Sequence, residues 1–164
     1  MQVQVLMFRQ DDPKKCTAAK IVKFKLATSV RTTLPNTLLL DPFAEKILLR
    51  SDATLANSIT GIDCSWALAG KTFTKKFSGI ARKLPPLLAG NPVNYSKLNK
   101  LTTVEAIAGA AFIMGFESLA HELLGKFKWG HTFYDLNKNL LEDYSKANSE
   151  EEINSIIMEY HLFA

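Results

Sequence analysis

Cysteine is scarce in this chain. Cys16 and Cys64 are the only two among 164 residues, which argues against a secreted disulfide framework and for a reducing compartment. They form no C-x-x-C pair, and His121, His131 and His161 stand at no zinc-site spacing to them, so no metal is expected. Long apolar runs are missing as well: none approaches the ~18 residues of a membrane span. The opening MQVQVLMFRQDDPKK lacks the charged start, apolar core and small-residue cleavage site of a signal peptide and reads as a first strand. Without such a signal, the sequon Asn94-Tyr95-Ser96 carries no weight. There is no G-x-S-x-G elbow, no P-loop and no G-x-G-x-x-G. Neither cysteine has a histidine nearby in sequence to serve as its base, and no two acids stand out as a glycosidase dyad. Repeats, low-complexity tracts and flexible linkers are absent too.

What is present is a globular composition, 47% hydrophobic and 22% charged, with an uneven charge distribution. The net charge of +4 permits an acidic partner such as nucleic acid. Lys14, Lys15, Lys20, Lys23, Lys25 and Arg31 crowd the first third. Lys75, Lys76, Arg82 and Lys83 precede the centre, and Lys97 and Lys100 follow. Acids gather at the end, in Glu142, Asp143 and 150–152. Three basic clusters around one loop region point to a shared basic surface.

The first half alternates apolar strands with helices or loops. Strands are expected at Gln2 to Arg9, Thr37 to Leu40, Ser58 to Cys64 and Pro85 to Ala89. Helices are expected at Lys14 to Ala27 and Phe73 to Ile80, and Phe43 to Asn57 is ambiguous between helix and loop. This alternation predicts a mainly parallel α/β sheet. The second half reads as all helical. Thr103 to Met114 is apolar on every side and therefore buried. Leu119, Leu123 and Leu124 continue the pattern to Gly125; Phe133, Leu136, Leu140, Leu141 and Tyr144 form one stripe; Ser149 caps a last helix. The expected division is 1–92 as an α/β cofactor-binding domain and 93–164 as a helical domain completing the pocket.

The stretch Leu84 to Ala106 joins the two halves. An apolar run breaks at Gly90-Asn91-Pro92, a polar loop follows, and Thr102-Thr103-Val104-Glu105 is a capping box that starts a helix. In an open parallel sheet, strand ends line up along one edge, where ligands bind. Here those ends are Leu40-Asp41-Pro42, Asp63-Cys64-Ser65-Trp66 and Ala89-Gly90-Asn91-Pro92. They bring together a carboxylate, a large aromatic and a backbone-rich loop. Helix starts at Thr17 and Thr103 offer N–H donors for a carboxylate or phosphate. On the residues alone, Trp66 fits core packing as well as a site, and Asp63 fits a turn as well as an acid or base. The pattern describes a place for a flat, anionic small molecule without naming it.

Seven segments then resemble, in order, the small-subunit rRNA aminocarboxypropyltransferases, relatives of the knotted SPOUT methyltransferases. They are 11–17 (DDPKKCT), 40–43 (LDPF), 63–66 (DCSW), 84–85 (LP), 90–95 (GNPVNY), 101–106 (LTTVEA), and 128–133 (KWGHTF) with 136–138 (LNK). Together they span most of the chain. The segment 126–130 looks more like the eukaryotic branch than the archaeal one. Ser96 is a departure, since family members often carry glycine after the tyrosine, and this bears on the neighbouring Asn99.

The resemblance implies a fold: a SPOUT-like parallel-sheet N-terminal domain, an all-helical C-terminal domain, and a deep trefoil knot. It also implies a reaction, in which the 3-amino-3-carboxypropyl group of S-adenosylmethionine moves to N3 of N1-methylpseudouridine in small-subunit (18S) rRNA and leaves 5′-methylthioadenosine. Carried onto this sequence, Leu40, Pro42, Trp66, Leu84, Leu101 and Ala106 form the adenine pocket. Leu84 and Asn99 offer backbone hydrogen bonds to adenine, and Ile62 offers a carbonyl to the ribose. Thr17 and Thr103 hold the amino-acid carboxylate, Trp66 and Ala69 cover the methyl group, and Asp63 is the base for the N3 proton. Lys14, Lys15, Lys20, Lys23, Lys75, Lys76, Arg82 and Lys83 are expected to contact rRNA phosphates. The implied protein is a metal-free monomer, cytoplasmic and also compatible with the nucleus, with no membrane partner. Two other readings stay open at this point: a knotted rRNA methyltransferase, and a non-catalytic ribosome-assembly factor using the same basic surface.

Overall fold

The computed structural model describes residues 1–8, 12, 14, 16–64, 68–72 and 76–163. The alternating residues near the N-terminus form strand β1 (Gln2–Met7), and helix α1 (Thr17–Lys23) follows. Strands β2 (Thr28–Val30) and β3 (Thr37–Leu40) come next, then a 3-10 turn at Arg50–Thr54 and strand β4 (Ser58–Asp63). The short helix α2 (Ala69–Thr72) leads to strand β5 (Ile80–Arg82). Four longer helices complete the chain: α3 (Thr103–Ile113), α4 (Glu117–Leu124), α5 (Gly130–Lys146) and α6 (Glu150–Glu159). The five strands make one sheet in the order β2-β1-β4-β3-β5, and every pairing is parallel. No helix among the described residues is long and apolar enough to cross a membrane.

Helix α3 is the centre of the molecule. Its apolar residues run around the whole cylinder, and Val104, Ile107, Ala108, Ala110, Ala111 and Ile113 are all fully buried. It can lie close on β4 because residue 61 is glycine: a Cβ there would stand 3.0 Å from Ile107 Cδ1 and 3.1 Å from Thr103 Cγ2. One hydrophobic core runs from Val3, Val5, Leu38 and Ile59 of the sheet through α3 to Phe133, Tyr144 and Ile153 of the last helices.

This continuity corrects the expected fold class. A SPOUT-like domain followed by a separate all-helical domain is not what the chain forms. It is one α/β unit with a five-stranded parallel sheet and, among the described residues, six α-helices. Segregation was expected because each half has its own periodicity. Each half's apolar faces nevertheless lack a partner without the other, and α3 supplies it.

Segment 85–89, expected as the last strand, is buried at Leu87 and Ala89 but joins no ladder of the sheet. The Asn137 side chain takes the place of a neighbouring strand, accepting from Leu88 N at 2.8 Å and donating to Leu88 O at 2.7 Å. Tyr144 Oη donates to Pro86 O at 2.8 Å, and Asn99 N donates to Leu87 O at 2.9 Å. Apolar content thus reported burial correctly, while the hydrogen bonds went to the Asn137 and Tyr144 side chains and to the backbone of the loop at 96–99 instead of to the sheet. Gly90 closes the segment. A Cβ there would fall 2.4 Å from the Phe133 backbone nitrogen, so only glycine fits.

The helix expected over Phe73 to Ile80 is also corrected. Gly79 adopts φ +131° and Ile80 opens β5, while residues 76–79 are not helical and 73–75 lie outside the described residues. Strand β2 had no expectation at all, since three residues with mostly exposed side chains carry no periodic signal.

Candidate active site

Two adjacent strands of this sheet send the chain in opposite directions: β1 leads to β2 on one side, and β4 leads toward β5 on the other. Such a reversal opens a crevice at the carboxyl ends of the two strands. Asp63 stands there, as the last residue of β4 and in register with Met7, the last residue of β1.

Three chain segments converge on the Asp63 carboxylate. Cys16, the N-cap of α1, donates its thiol to Oδ2 at 3.1 Å. Thr103, the first residue of α3, donates its hydroxyl to Oδ1 at 2.9 Å. Thr17 ties the two helix starts together, its Oγ1 accepting from Val104 N at 3.2 Å. Each carboxylate oxygen retains further acceptor capacity, and Asp63 is only half-buried, so the group is held in place without being consumed.

Cys16 was not among the expected site residues. Its signal was weak, because the usual N-caps are Ser, Thr, Asp and Asn. Here the sulfur accepts from Ala19 N at 3.4 Å. Burial pushes the thiol up to about 11; the accepting oxygen and negative charge of Asp63 act in the same direction, against the opposing Ala19 N–H. Cys16 is therefore a neutral donor across the working range and no thiolate nucleophile. In a Cys64→Ser background, its alkylation by iodoacetamide should keep accelerating with pH toward about 11. A labelling midpoint at or below the ordinary thiol value would contradict this.

The wall beside the crevice is built by Glu105, which is completely buried. Its Oε1 accepts from Gly90 N (2.7 Å) and Asn91 N (3.0 Å), and its Oε2 from Asn91 Nδ2 (2.9 Å), Thr102 N (2.7 Å) and Thr102 Oγ1 (3.0 Å). Thr102 Oγ1 accepts in turn from Glu105 N at 3.3 Å, completing the capping box read from the sequence. One carboxylate thus fixes the Gly90-Asn91 turn and starts α3 at the point that presents Thr103 to Asp63.

The apolar candidates lie around this frame. Leu40 and Leu101 are buried, Leu84, Ala106 and Ile62 are half-buried, and Pro42 is exposed. Ala69 is buried at the start of α2. Trp66 lies outside the described residues. Asn99 is exposed at φ +62°, its N–H bound to Leu87 O, so its backbone donor is already engaged.

Among the basic candidates, Lys14, Lys20, Lys23 and Lys76 are exposed and Lys83 is half-buried, while Lys15 and Lys75 lie outside the described residues. Lys20 Nζ stands 5.7 Å from the centroid of the Phe127 ring. Arg82 turns inward instead of toward solvent: its Nη2 meets Asp52 Oδ1 at 3.1 Å, with both side chains largely buried.

A family model described as "Ribosome biogenesis protein, C-terminal" matches residues 38–161. The chain belongs to this family. A second model, a possible Fer4-like domain in RNase L inhibitor, matches residues 1–33. Iron–sulfur clusters need about four thiolate ligands, and that segment has only Cys16, so the residues do not fit such a cluster. Among the described residues no group of His, Cys, Asp or Glu is arranged to hold a metal.

The chain is 44% identical to the 16S rRNA aminocarboxypropyltransferase of Methanococcoides burtonii, over 93% of this chain and 90% of that protein. It is 41% identical to the Halobacterium salinarum protein of the same name, over 98% and 96%. Among solved structures, the SAM-dependent rRNA:acp-transferase Tsr3 from Vulcanisaeta distributa superposes with a TM-score of 0.85 at 36% identity, covering 98% of this chain and 96% of that one.

Proposed function

We propose that this member of the ribosome biogenesis family transfers the 3-amino-3-carboxypropyl group of S-adenosylmethionine to N3 of N1-methylpseudouridine in small-subunit rRNA. The coarser statement rests on close relatives over nearly the whole length: the chain is an S-adenosylmethionine-dependent rRNA aminocarboxypropyltransferase. The finer one, the acceptor base and its N3, is what the family resemblance implies, and the site supports it with a carboxylate placed to take a proton. The observation that carries it is the half-open Asp63 carboxylate, held by Cys16 and Thr103 at the crevice between β1 and β4.

The donor set suits S-adenosylmethionine. Hydroxyls of Thr17 and Thr103 stand beside the first turn of α3, where the helix dipole favours a carboxylate. Leu40, Leu84, Leu101 and Ala106 give an apolar wall for adenine. Asp63 offers a negative charge next to a sulfonium. When bound, S-adenosylmethionine supplies an electrophilic methylene on sulfur, and attack by N3 breaks that carbon–sulfur bond and releases 5′-methylthioadenosine. Asp63 accepts the N3 proton, a task requiring only modest basicity because an imide-type N–H is weakly acidic. Thr17 and Thr103 would hold the amino-acid end, and Ala69 would pack against the methyl group, so that geometry selects the methylene over the methyl carbon. Lys14, Lys20, Lys23 and Lys76 supply sequence-independent phosphate contacts.

The test is mass spectrometry of rRNA nucleosides after incubation of small-subunit rRNA that carries N1-methylpseudouridine but no aminocarboxypropyl group with the protein and S-adenosylmethionine. The expected product is an aminocarboxypropylated nucleoside; a methylated nucleoside, or no product, would overturn the reading.

A further inference from the structure

The sheet order separates two sides of Asp63. The apolar residues suited to adenine belong to the β3 side and to α3, whereas β1 and β2 lie on the other side of β4. An open cavity of about 460 Å³ sits at the carboxyl ends of β1 and β2, lined by Met7, Phe8, Ser29, Arg31 and Phe77 among others. That volume lies in the range of small-molecule sites. The cavity begins one residue from the reactive centre: Met7 pairs with Asp63 in the sheet, and Phe8 N donates to Asp63 O at 3.0 Å.

Its chemistry is that of a nucleotide site. Phe8 and Phe77 present rings edge to face, with centroids 6.3 Å apart at 74°. Ser29 and Arg31 are exposed at the rim, and exposed Lys76 adjoins Phe77. Aromatic faces with adjacent cations are how proteins hold an unstacked base and its phosphate. Among the described residues no carboxylate lines the cavity, in keeping with a polyanionic ligand.

We infer that this cavity receives the acceptor nucleotide, with the splayed-out base against Phe8 and Phe77 and its phosphate at Arg31. Asp63 then lies between cofactor and acceptor, where it can reach the base N–H. The inference rests on the transferase reading and adds the place of the second substrate.

The experiment compares the wild-type chain with Phe77→Ala, Phe77→Trp and Arg31→Ala. It uses steady-state transfer onto an rRNA hairpin carrying N1-methylpseudouridine in its loop, and calorimetry with S-adenosylmethionine alone. Losing a stacked base partner should raise the KM for RNA by about 5-fold to 100-fold, with S-adenosylmethionine affinity unchanged and Phe77→Trp close to wild type. Arg31→Ala, on an exposed side chain that folding does not depend on, should raise KM and flatten its salt dependence. An unchanged RNA KM in both alanine variants overturns the inference. So does loss of S-adenosylmethionine affinity in Arg31→Ala, which would make the cavity part of the cofactor site. A wild-type chain that binds S-adenosylmethionine and transfers nothing to the hairpin or to small-subunit rRNA sinks the underlying transferase reading, and the inference with it.

Discussion

Asp63→Ala lowers turnover by about 100-fold or more, the usual contribution of a positioned base, while S-adenosylmethionine affinity stays close to that of the wild type. The split follows from the geometry. Thr17 is fixed to the start of α3 through Val104 N, independently of Asp63, and Thr103 keeps its place as the first residue of α3 while its hydroxyl is released from Asp63, so both groups proposed for the amino-acid end survive the substitution. In the proposed mechanism, what disappears is the acceptor for the N3 proton. Paired measurement of kcat by product formation and of Kd by calorimetry checks this. Equal turnover in the variant would remove Asp63 from the chemistry. A collapse in cofactor affinity with kcat retained would make it a binding group only.

Glu105→Ala should cost the fold about 4 kcal/mol or more, measured by urea denaturation with the midpoint and slope both fitted. The reasoning is a count of donors. Five groups, from Gly90, Asn91 and Thr102, converge on this fully buried carboxylate, and each donor left buried and unpaired costs ~1–3 kcal/mol. Water entering the vacated space recovers part of that. Since whole domains are stable by only ~5–15 kcal/mol, the variant is expected to approach the unfolding threshold at physiological temperature. A loss under ~1 kcal/mol would mean that the Gly90-Asn91 turn does not depend on Glu105. Activity should fall with stability, because α3 would lose the cap that sets Thr103 against Asp63.

Much of this was legible in the sequence for identifiable reasons. Parallel strands buried on both faces read as short apolar runs, so Thr37–Leu40 was recognisable to the residue. The capping box at 102–105 and the Ser149 cap of α6 were readable because capping is local: the chemistry sits within three residues. The apolar circumference of α3 announced its burial, though not that it would join both halves into one core. The misses involve distance or brevity. The partner of Leu88 is Asn137, and that of Cys16 is Asp63; neither is visible to periodicity. Arg82 looked like one more surface cation because its partner, Asp52, is a strand away. Asp63 itself was equally compatible with a turn until Cys16 and Thr103 were found on its two oxygens.

The proposed arrangement has the cofactor over the β3 side with its amino-acid end at Thr17 and Thr103, Asp63 at the middle, and the acceptor over the β1 side. The most direct measurement is a crystal structure of the protein with S-adenosylmethionine bound. The arrangement predicts adenine against Leu84, Leu101 and Ala106, the methyl group against Ala69, and the aminocarboxypropyl methylene open toward Asp63 and the Phe8–Phe77 cavity. A bound molecule whose methyl group faces that cavity, or whose adenine occupies it, would contradict the account.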